Sequence, residues 1–184
     1  FMAYNIQPLR TEKEINVFLF ALSKNKYAER DTFLFLIGIN SGLRMSDIVK
    51  LKKKDIAHST NPRVVEQKTG KTRILYLSSM KVLIQAYTKD MQEEDFLFPS
   101  AKGGHLAVNT VYQMFQKAAD FLEMKNIGTH TLRKTFGYHY YQRTHDIATL
   151  MEIFGHSSEK ITKRYIGLRE EQISKTLKNF RLGF

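Results

Sequence analysis

Apolar residues recur at helical spacing along most of the chain, and this periodicity changes only once, after Pro62. The first helical segment begins with a capping box, in which Thr11 is followed three residues later by Glu14. After Pro62 the chain reads RVVEQ, KTGK and TRILYL, which predicts two strands joined by a turn at Gly70. We therefore predict a mainly α fold with one small antiparallel β-sheet, in the α+β class.

Further helices follow from the same spacing. They are predicted at about 28–40, 81–90, 108–122, 132–143, 147–154, 160–166 and 170–179. A short helix is predicted to begin with Ser46 as its N-cap and to end near Leu51. Ser41 and Gly42 end the helix before it, which leaves Arg44 in the connection with its side chain free to project. Since no repeat, low-complexity tract or linker interrupts the pattern, residues 1–184 are expected to form one domain.

The charge balance points to a polyanionic partner. The chain carries 29 Lys and Arg against 18 Asp and Glu, a net charge of +11 at pH 7. Such an excess attracts nucleic acid. A membrane surface is disfavoured, because the basic residues are spread along the chain instead of lying on one amphipathic helix. No apolar run approaches the ~18 residues of a membrane span.

The chain contains no cysteine, which excludes disulfides and thiolate metal sites. This composition fits a reducing compartment. Residues 1–5 show no basic run followed by an apolar one, so we expect no signal peptide. Together these features predict a cytoplasmic protein.

The stretch THTLRKTF places two cationic donors at the predicted start of a helix. His130 and Arg133 are three residues apart, so they face the same way. A helix start also carries partial positive charge, and such a pair suits an anion, with phosphate the best fit. The alternative is a solvated basic turn with one buried histidine.

Four other residues are chemically interesting and also have ordinary explanations. Arg44 can be a surface arginine that caps the preceding helix, and Asp47 is close enough in sequence to pair with it. Lys68 can be a solvated hairpin lysine, and His156 a polar loop residue. Tyr165 can pack its ring against a core like most helical tyrosines.

The order of these motifs carries more information than any one of them. The segments SGLRMSDI, a lysine on a hairpin, HTLRKTF, GHSS and TKRY resemble the catalytic domain of the tyrosine recombinase, or phage integrase, family. That family has an arginine in a G-L-R turn, a hairpin lysine, H-x-x-R, a histidine in G-H and a tyrosine nine residues later. The resemblance extends from residue 8 to beyond Tyr165, and its six chemical positions are filled by Arg44, Lys68, His130, Arg133, His156 and Tyr165.

The resemblance implies that Tyr165 attacks a DNA phosphodiester and forms a 3′-phosphotyrosyl link. Arg44 and Arg133 would hold the non-bridging oxygens, because a guanidinium can donate two hydrogen bonds to one phosphate. A neutral tyrosine needs help to ionise at pH 7. His130 is the candidate that takes its proton.

Two further roles follow from the same resemblance. His156 would donate a hydrogen bond to the phosphate, and Lys68 would protonate the leaving 5′-oxygen, since a lysine proton is transferable whereas that of arginine is not. Asp47 is expected to support the site. No carboxylate cluster accompanies the motifs, so we expect a reaction without metal or nucleotide cofactor.

The expected partners are double-stranded DNA and further copies of the chain. The predicted DNA-binding residues are Lys71, Arg73, Lys134, Lys163 and Arg164, of which Lys163 and Arg164 are expected to contact backbone phosphates. The resemblance implies a tetramer on DNA, and related recombinases often dock a C-terminal tail on a neighbouring subunit. Here the tail is residues 169–184, and its apolar stripe consists of Ile173, Leu177 and Phe180. We expect it to pack either within its own subunit or on a neighbour, and favour the neighbour on DNA. Fuller members carry an N-terminal DNA-binding domain that residues 1–184 do not include.

Three alternatives remain at this stage. A type IB topoisomerase shares the tyrosine chemistry but relaxes DNA without a second duplex. A DNA-binding regulator with an inactive site would have the fold without the reaction. A basic helical RNA-binding module would satisfy the charge alone.

Overall fold

The computed structural model describes residues 6–184, so the expectation about a signal peptide at 1–5 lies outside the described residues. The helices are α1 (Glu12–Leu22), α2 (Ala28–Ser41), α3 (Met45–Ile48), α4 (Lys53–Ile56), α5 (Lys81–Thr88), α6 (Val108–Phe121), α7 (Thr131–Thr144), α8 (Ile147–Phe154), α9 (Glu159–Tyr165) and α10 (Leu168–Leu177). The strands are β1 (Arg63–Val65) and β2 (Thr72–Ile74). The predicted α+β class is confirmed.

The two strands form the hairpin that the change of periodicity predicts. They pair antiparallel, with Val64 opposite Arg73 at the centre of the register. Gly70 adopts φ 67° in the connecting turn, a left-handed conformation that favours glycine. The regular pairing is shorter than the apolar runs, and the turn therefore extends as an exposed finger that carries Lys68.

Two apolar clusters hold the helices together. In the larger one, the Phe18 ring stacks on Phe35 at 5.3 Å between centroids and meets Phe115 edge-on at 5.5 Å, which joins α1, α2 and α6. The smaller cluster lies between α7, α8 and α9 and includes Leu150 and Phe154. Burial of these side chains is the main favourable contribution to folding.

Helix α2 packs closely along α7, and glycines make the approach feasible. A Cβ atom at Gly38 would lie 2.9 Å from Leu132 Cβ. Gly42 ends α2 with φ 67°, and a Cβ there would lie 2.8 Å from Phe136 Cε1. The end of α2 and the start of α7 are thereby brought side by side.

The prediction that Ser46 caps a short helix is wrong. The N-cap of α3 is Arg44, whose carbonyl accepts from Asp47 N at 2.9 Å and from Ile48 N at 3.0 Å. Gly42 reverses the chain at once after α2, so the next helix begins before the serine. Most other helix bounds agree with the prediction to within one or two residues, whereas α4 is too short for a periodic pattern to reveal.

The C-terminal helix α10 is attached by polar contacts. Tyr138 Oη donates to Glu171 Oε1 at 2.9 Å, and Arg10 Nη2 donates to the Gly167 carbonyl at 3.0 Å. Its apolar stripe is left open to solvent, with exposed fractions of 48% for Ile173 and 56% for Leu177. Among residues 6–184, nothing therefore covers this stripe. Across residues 6–184, no helix has the length and apolar character needed to cross a bilayer.

We expect Gly38→Ala to destabilise the protein, although alanine is the better helix former by about 1 kcal/mol. The added methyl group overlaps Leu132 and forces α2 and α7 apart, which should lower the free energy of unfolding by about 1–3 kcal/mol. Chemical denaturation measures the difference. Asn109→Ala, at an exposed position of α6, is the control and should be neutral or slightly stabilising. Equal stability of Gly38→Ala and wild type would contradict the proposed role of this contact.

Candidate active site

Arg44 projects from the connection between α2 and α3, as the sequence predicts. It has extended backbone angles, φ −66° and ψ 147°, because it is the residue that turns the chain into α3. Its Nη1 atom donates to the carboxylate of Glu66. The Arg44 side chain retains 19% exposure, so part of its guanidinium remains accessible to a ligand.

Arg133 lies in the first turn of α7 and is almost completely buried. Nη1 donates to the Gly42 carbonyl at 2.8 Å and Nη2 to the Phe154 carbonyl at 3.3 Å. Its Cζ atom lies 4.4 Å from the centre of the Phe154 ring. Burial lowers the pKa of Arg133 to about 10, which still leaves it cationic at neutral pH. Its orientation is therefore set before any ligand arrives.

Tyr165 is the last residue of α9, and its ring is half-buried among groups from three segments. The ring centroid lies 5.2 Å from that of His156 and 5.4 Å from that of Phe154, and Lys134 Nζ lies 4.9 Å from it. Burial raises the pKa of Tyr165, while the charge of Arg133 opposes that rise. The phenol is therefore neutral at pH 7, and its reaction requires a proton acceptor.

His130, the N-cap of α7, is placed to be that acceptor. Its Nδ1 atom lies 3.4 Å from Tyr165 Oη, at the outer limit of a hydrogen bond. Desolvation lowers the pKa of His130, and the charges of Lys134 and Arg133 lower it further. A neutral imidazole has a free lone pair, so this ring can accept a proton at pH 7.

His156 follows Gly155, which ends α8 in the left-handed conformation with φ 68°. The backbone N–H of His156 donates to the Met151 carbonyl at 2.9 Å, which closes the helix end and fixes the loop. Its Nδ1 atom contacts the hydroxyl of Thr162 at 2.9 Å. When that hydroxyl donates to Nδ1, the proton of the neutral ring lies on Nε2. Burial lowers the pKa of His156, and Arg133 and Arg44 contribute.

Lys68 stands apart from the other five predicted residues. Its side chain is exposed at the hairpin turn, which is closed by hydrogen bonds from Glu66 N to the Lys71 carbonyl and from Gly70 N to the Glu66 carbonyl, both 2.8 Å. It is still near enough for its charge to lower the pKa of His130. The structure thus gathers Arg44, His130, Arg133, His156 and Tyr165, with Lys68 on an exposed finger beside them.

The predicted pairing of Asp47 with Arg44 is wrong. Asp47 lies in α3, and its Oδ1 atom accepts from Gln67 N at 2.9 Å, so this carboxylate holds the hairpin backbone. The partner of Arg44 is Glu66, which is 5% exposed. Sequence reasoning missed Glu66. The available signal was an acidic residue near the end of the first predicted strand, two positions before Lys68.

Two of the five predicted DNA-binding residues, Arg73 and Lys134, are bonded to backbone carbonyls of the protein, and their contact with DNA stays a prediction. Arg73 turns inward, and its Nη2 atom donates to the Ser41 carbonyl at 2.8 Å. Lys134 is buried, and its Nζ atom donates to the Ile6 carbonyl at 2.8 Å. In both cases neighbouring backbone carbonyls provide partners that a reading of charge alone cannot reveal. Lys71, Lys163 and Arg164 remain at least partly accessible, and their contacts with DNA stay a prediction.

The arrangement suits a phosphodiester. Arg133 is bonded to the carbonyl of Gly42, two residues before Arg44, and the charge of Arg44 is near enough to lower the pKa of Arg133. The Tyr165 phenol and the neighbouring His130 imidazole lie next to the buried guanidinium of Arg133. A non-bridging oxygen pair can be held by the two arginines while the hydroxyl approaches phosphorus. The site therefore combines an anion clamp, a nucleophile and a proton acceptor.

Comparison with known proteins gives one family. The profile of the phage integrase family matches residues 9–172. The chain is 47% identical over 178 residues to the probable integrase/recombinase YoeC of Bacillus subtilis, covering 95% of this chain and 97% of that relative. It is 28% identical over 152 residues to tyrosine recombinase XerC of Bradyrhizobium diazoefficiens, covering 78% of this chain and 47% of that one. The chain spans about half the length of several such relatives.

Solved structures show the same fold. The crystal structure of XerA recombinase superposes with a TM-score of 0.72 at 21% identity, covering 97% of this chain and 66% of that one. The catalytic domain of bacteriophage HP1 integrase gives a TM-score of 0.65 at 24% identity and covers 95% of each chain. The helical architecture with its small sheet is thus shared across distant sequences.

We expect both His130 and His156 to titrate below their ordinary value of about 6.5 in the DNA-free protein. NMR titration of the imidazole resonances, assigned with His130→Gln and His156→Gln, measures the midpoints. Because the unfolded chain then binds more protons than the folded one, the associated stability is present above pH 6.5 and is lost as pH falls through the folded pKa values.

Lys134→Gln separates the causes of these two shifts. It removes one of the charges that lower the pKa of His130, whereas Lys134 does not contribute to the shift of His156. The His130 midpoint should rise in this variant while that of His156 stays in place. Midpoints at or above 6.5 in the wild type would contradict the desolvated, cationic environment described for this site.

Proposed function

The chain belongs to the phage integrase family, and from that premise we propose that it is the catalytic domain of a site-specific tyrosine recombinase that cuts and rejoins double-stranded DNA. One observation carries the proposal. The Tyr165 hydroxyl lies 3.4 Å from His130 Nδ1, beside a buried Arg133 that has no carboxylate partner among residues 6–184. A tyrosine with a proton acceptor and an open anion clamp is arranged to attack a phosphodiester.

In the cleavage step, Tyr165 Oη forms a bond to the phosphorus of the scissile phosphate and its proton passes to His130 Nδ1. The bond from phosphorus to the 5′-oxygen breaks, which leaves a 3′-phosphotyrosyl link. The distance of 3.4 Å is long for this proton transfer, and such contacts shorten when substrate binds. Attack of a 5′-hydroxyl on the link reverses each bond change and reseals the strand.

The phosphate gains negative charge in the transition state, and three donors are placed to stabilise it. Arg133 is fixed by two backbone carbonyls, and Arg44 by one carboxylate, so little reorganisation is needed when DNA binds. His156 adds a donor through Nε2 when its Nδ1 is bonded to Thr162. Removal of one donor of this kind slows catalysis by roughly 10²–10³-fold.

The leaving 5′-oxygen needs a proton, and Lys68 is the proposed source. It lies on the exposed turn of the hairpin, where its side chain has no hydrogen bond or ion pair among residues 6–184. Binding of the duplex over the site would bring the scissile bond to this turn. The transferable proton of an ammonium group makes lysine suitable where arginine would not be.

Several copies of the chain on DNA complete the proposal. The net charge of +11 favours binding to duplex DNA, and exposed Lys71 and Arg164 are proposed backbone contacts, with the partly exposed Lys163. Among the structurally similar proteins, XerH was solved bound to its difH substrate, and the Tn1549 transposon integrase with circular intermediate DNA. We propose a tetramer in which the exposed stripe of α10 packs on a neighbouring subunit.

Tyr165→Phe should abolish the covalent DNA adduct while leaving the affinity for DNA nearly unchanged, because one hydroxyl adds little to a charge-dominated interface.

Lys68→Ala should also slow cleavage, but a substrate with sulfur at the 5′-bridging position should restore it, since a thiolate leaves without protonation. Denaturing gels that resolve the adduct measure both effects.

The arginine variants are the matched controls for the sulfur substrate. Arg44→Ala and Arg133→Ala should stay slow with either substrate, because charge on the non-bridging oxygens still needs neutralising. Tyr165→Phe should stay inactive with both. Rescue of Arg133→Ala as complete as that of Lys68→Ala would show that Lys68 is not the general acid.

A triple change of Ile173, Leu177 and Phe180 to serine tests the tail. It removes the exposed apolar stripe but retains the contact between Glu171 and Tyr138 that attaches α10. We expect weaker assembly of several subunits on DNA with little change in binding of a single subunit. Gel-shift titration separates the two, with Gln172→Ser and Asn179→Ser on the same segment as controls. Equal losses in both binding stages would contradict exchange of the tail.

A further inference from the structure

Glu66 is a buried carboxylate that the proposed reaction leaves without a role. Its side chain is 6% exposed, and it lies between two guanidinium groups. Arg44 Nη1 donates to Oε2, and Arg73 Nε lies 3.7 Å from Oε1. Among residues 6–184, it is the carboxylate that forms ion pairs with these arginines. A charge this deeply buried persists only when its partners compensate for lost hydration.

The same residue belongs to the hairpin that carries Lys68. Its backbone closes the turn at both sides, through Glu66 N to the Lys71 carbonyl and Gly70 N to the Glu66 carbonyl. The next residue, Gln67, donates its N–H to Asp47 in α3. Two consecutive hairpin residues are therefore attached to the segment that begins with Arg44.

Arg73 provides a second anchor for this carboxylate. It pairs with Val64 in the sheet, and its Nη2 atom donates to the Ser41 carbonyl at the end of α2. Arg73 thus links the second strand, the carboxylate and the helix that precedes Arg44. Its Nη1 atom is buried and has no hydrogen-bond partner among the described residues, so the guanidinium is held through Nη2 and the contact of Nε with this carboxylate.

We propose that Glu66 is a positioning residue that sets Arg44 and the Lys68 turn at the same time, with Arg73 as its support. By accepting from Nη1, it fixes the plane of the Arg44 guanidinium and leaves the other donors directed to the phosphate. Because the backbone of Glu66 closes the turn, the ion pair of its side chain also sets the distance between that clamp and the ammonium that protonates the leaving oxygen. This inference rests on the proposed function for its catalytic part, and on the hairpin contacts alone for its structural part.

A first experiment needs no DNA and tests the structural part. Glu66→Gln keeps the size of the side chain but removes the charge that holds Arg44 and Arg73. Amide hydrogen exchange at Gln67 and Gly70 should become faster by about tenfold or more, because the turn opens more often. Glu94→Gln is the control, since Glu94 pairs with Lys52 and Lys54 on another surface and should leave these amides unchanged. Unchanged exchange in Glu66→Gln would overturn the proposal.

A second experiment tests the catalytic part with the oxygen and sulfur substrates. Glu66→Gln should slow cleavage of the oxygen substrate by roughly 10²-fold. With the sulfur substrate, the part of the loss in cleavage rate that is due to Lys68 should be recovered. The part that is due to Arg44 should remain. If the buried ion pair served stability alone, Glu66→Gln would lower the unfolding temperature. The ratio of the cleavage rates of the sulfur and oxygen substrates would then stay as in the wild type. An unchanged ratio therefore overturns the proposal.

A double variant sharpens this reading. If Glu66 acts through Lys68, Glu66→Gln should change the sulfur-to-oxygen ratio much less in a Lys68→Ala background than in the wild type. An equal change in both backgrounds would show that Glu66 acts independently of the turn. Failure of the wild type to form any adduct would instead refute the proposed function, and the exchange experiment would still decide whether Glu66 anchors the hairpin.

Discussion

The close contact between α2 and α7 is the constraint on which the site depends. At Gly38 and Gly42 the absence of a side chain lets Leu132 and Phe136 lie directly against the backbone of α2. The carbonyl of Gly42 then becomes available to Arg133 at 2.8 Å. A separation larger by one methyl group would remove this bond and move the two arginines apart. Packing of two helices therefore sets the geometry of the anion clamp, in keeping with the strong response of cores to small volume changes.

The second constraint is electrostatic. Five cationic or ionisable donors converge at one place, and the described part of the chain supplies Glu66 as the carboxylate that pairs with its arginines. Desolvation lowers the pKa values of His130 and His156, and the neighbouring cationic charges lower them further. A bound phosphate would raise both pKa values, since an anion favours the charged imidazolium form. The cationic groups thus favour an anionic substrate and also contribute to the tuning of the proton acceptor.

The separation of Lys68 from the other groups also has a physical meaning. Arg133 and His156 are held by backbone carbonyls and helix ends, so their positions are rigid. Lys68 lies on a turn whose attachment depends on Glu66 and on the amide of Gln67. The clamp is therefore built in advance, whereas the proton donor for the leaving group is carried on an exposed turn. Such an arrangement allows the final step of site assembly to depend on the bound duplex.

Local patterns in the sequence predicted much of this molecule. The single change in periodicity located the hairpin, and apolar spacing located the longer helices, because both signals arise from side-chain directions within one element. Helix ends were predicted where glycine or a capping box marks them, as at Thr11 and Gly155. The assignment of Ser46 as an N-cap was wrong because it relied on such a local signal alone. The start of α3 depended instead on the direction in which the chain leaves Gly42.

The sequence by itself also determined which chemical groups are available, because the order of motifs from Arg44 to Tyr165 places the chain in its family. Only the tertiary structure decided which charges meet. Asp47 accepts from the backbone N–H of Gln67, Glu66 is the carboxylate that pairs with Arg44, and Lys134 donates to the carbonyl of Ile6. Each of these pairs joins residues distant along the chain or on different elements, and two of the three use backbone groups that have no identity in the sequence. Spacing along the chain predicts what one element presents, whereas the partners of a buried charge are set by the packing of several elements.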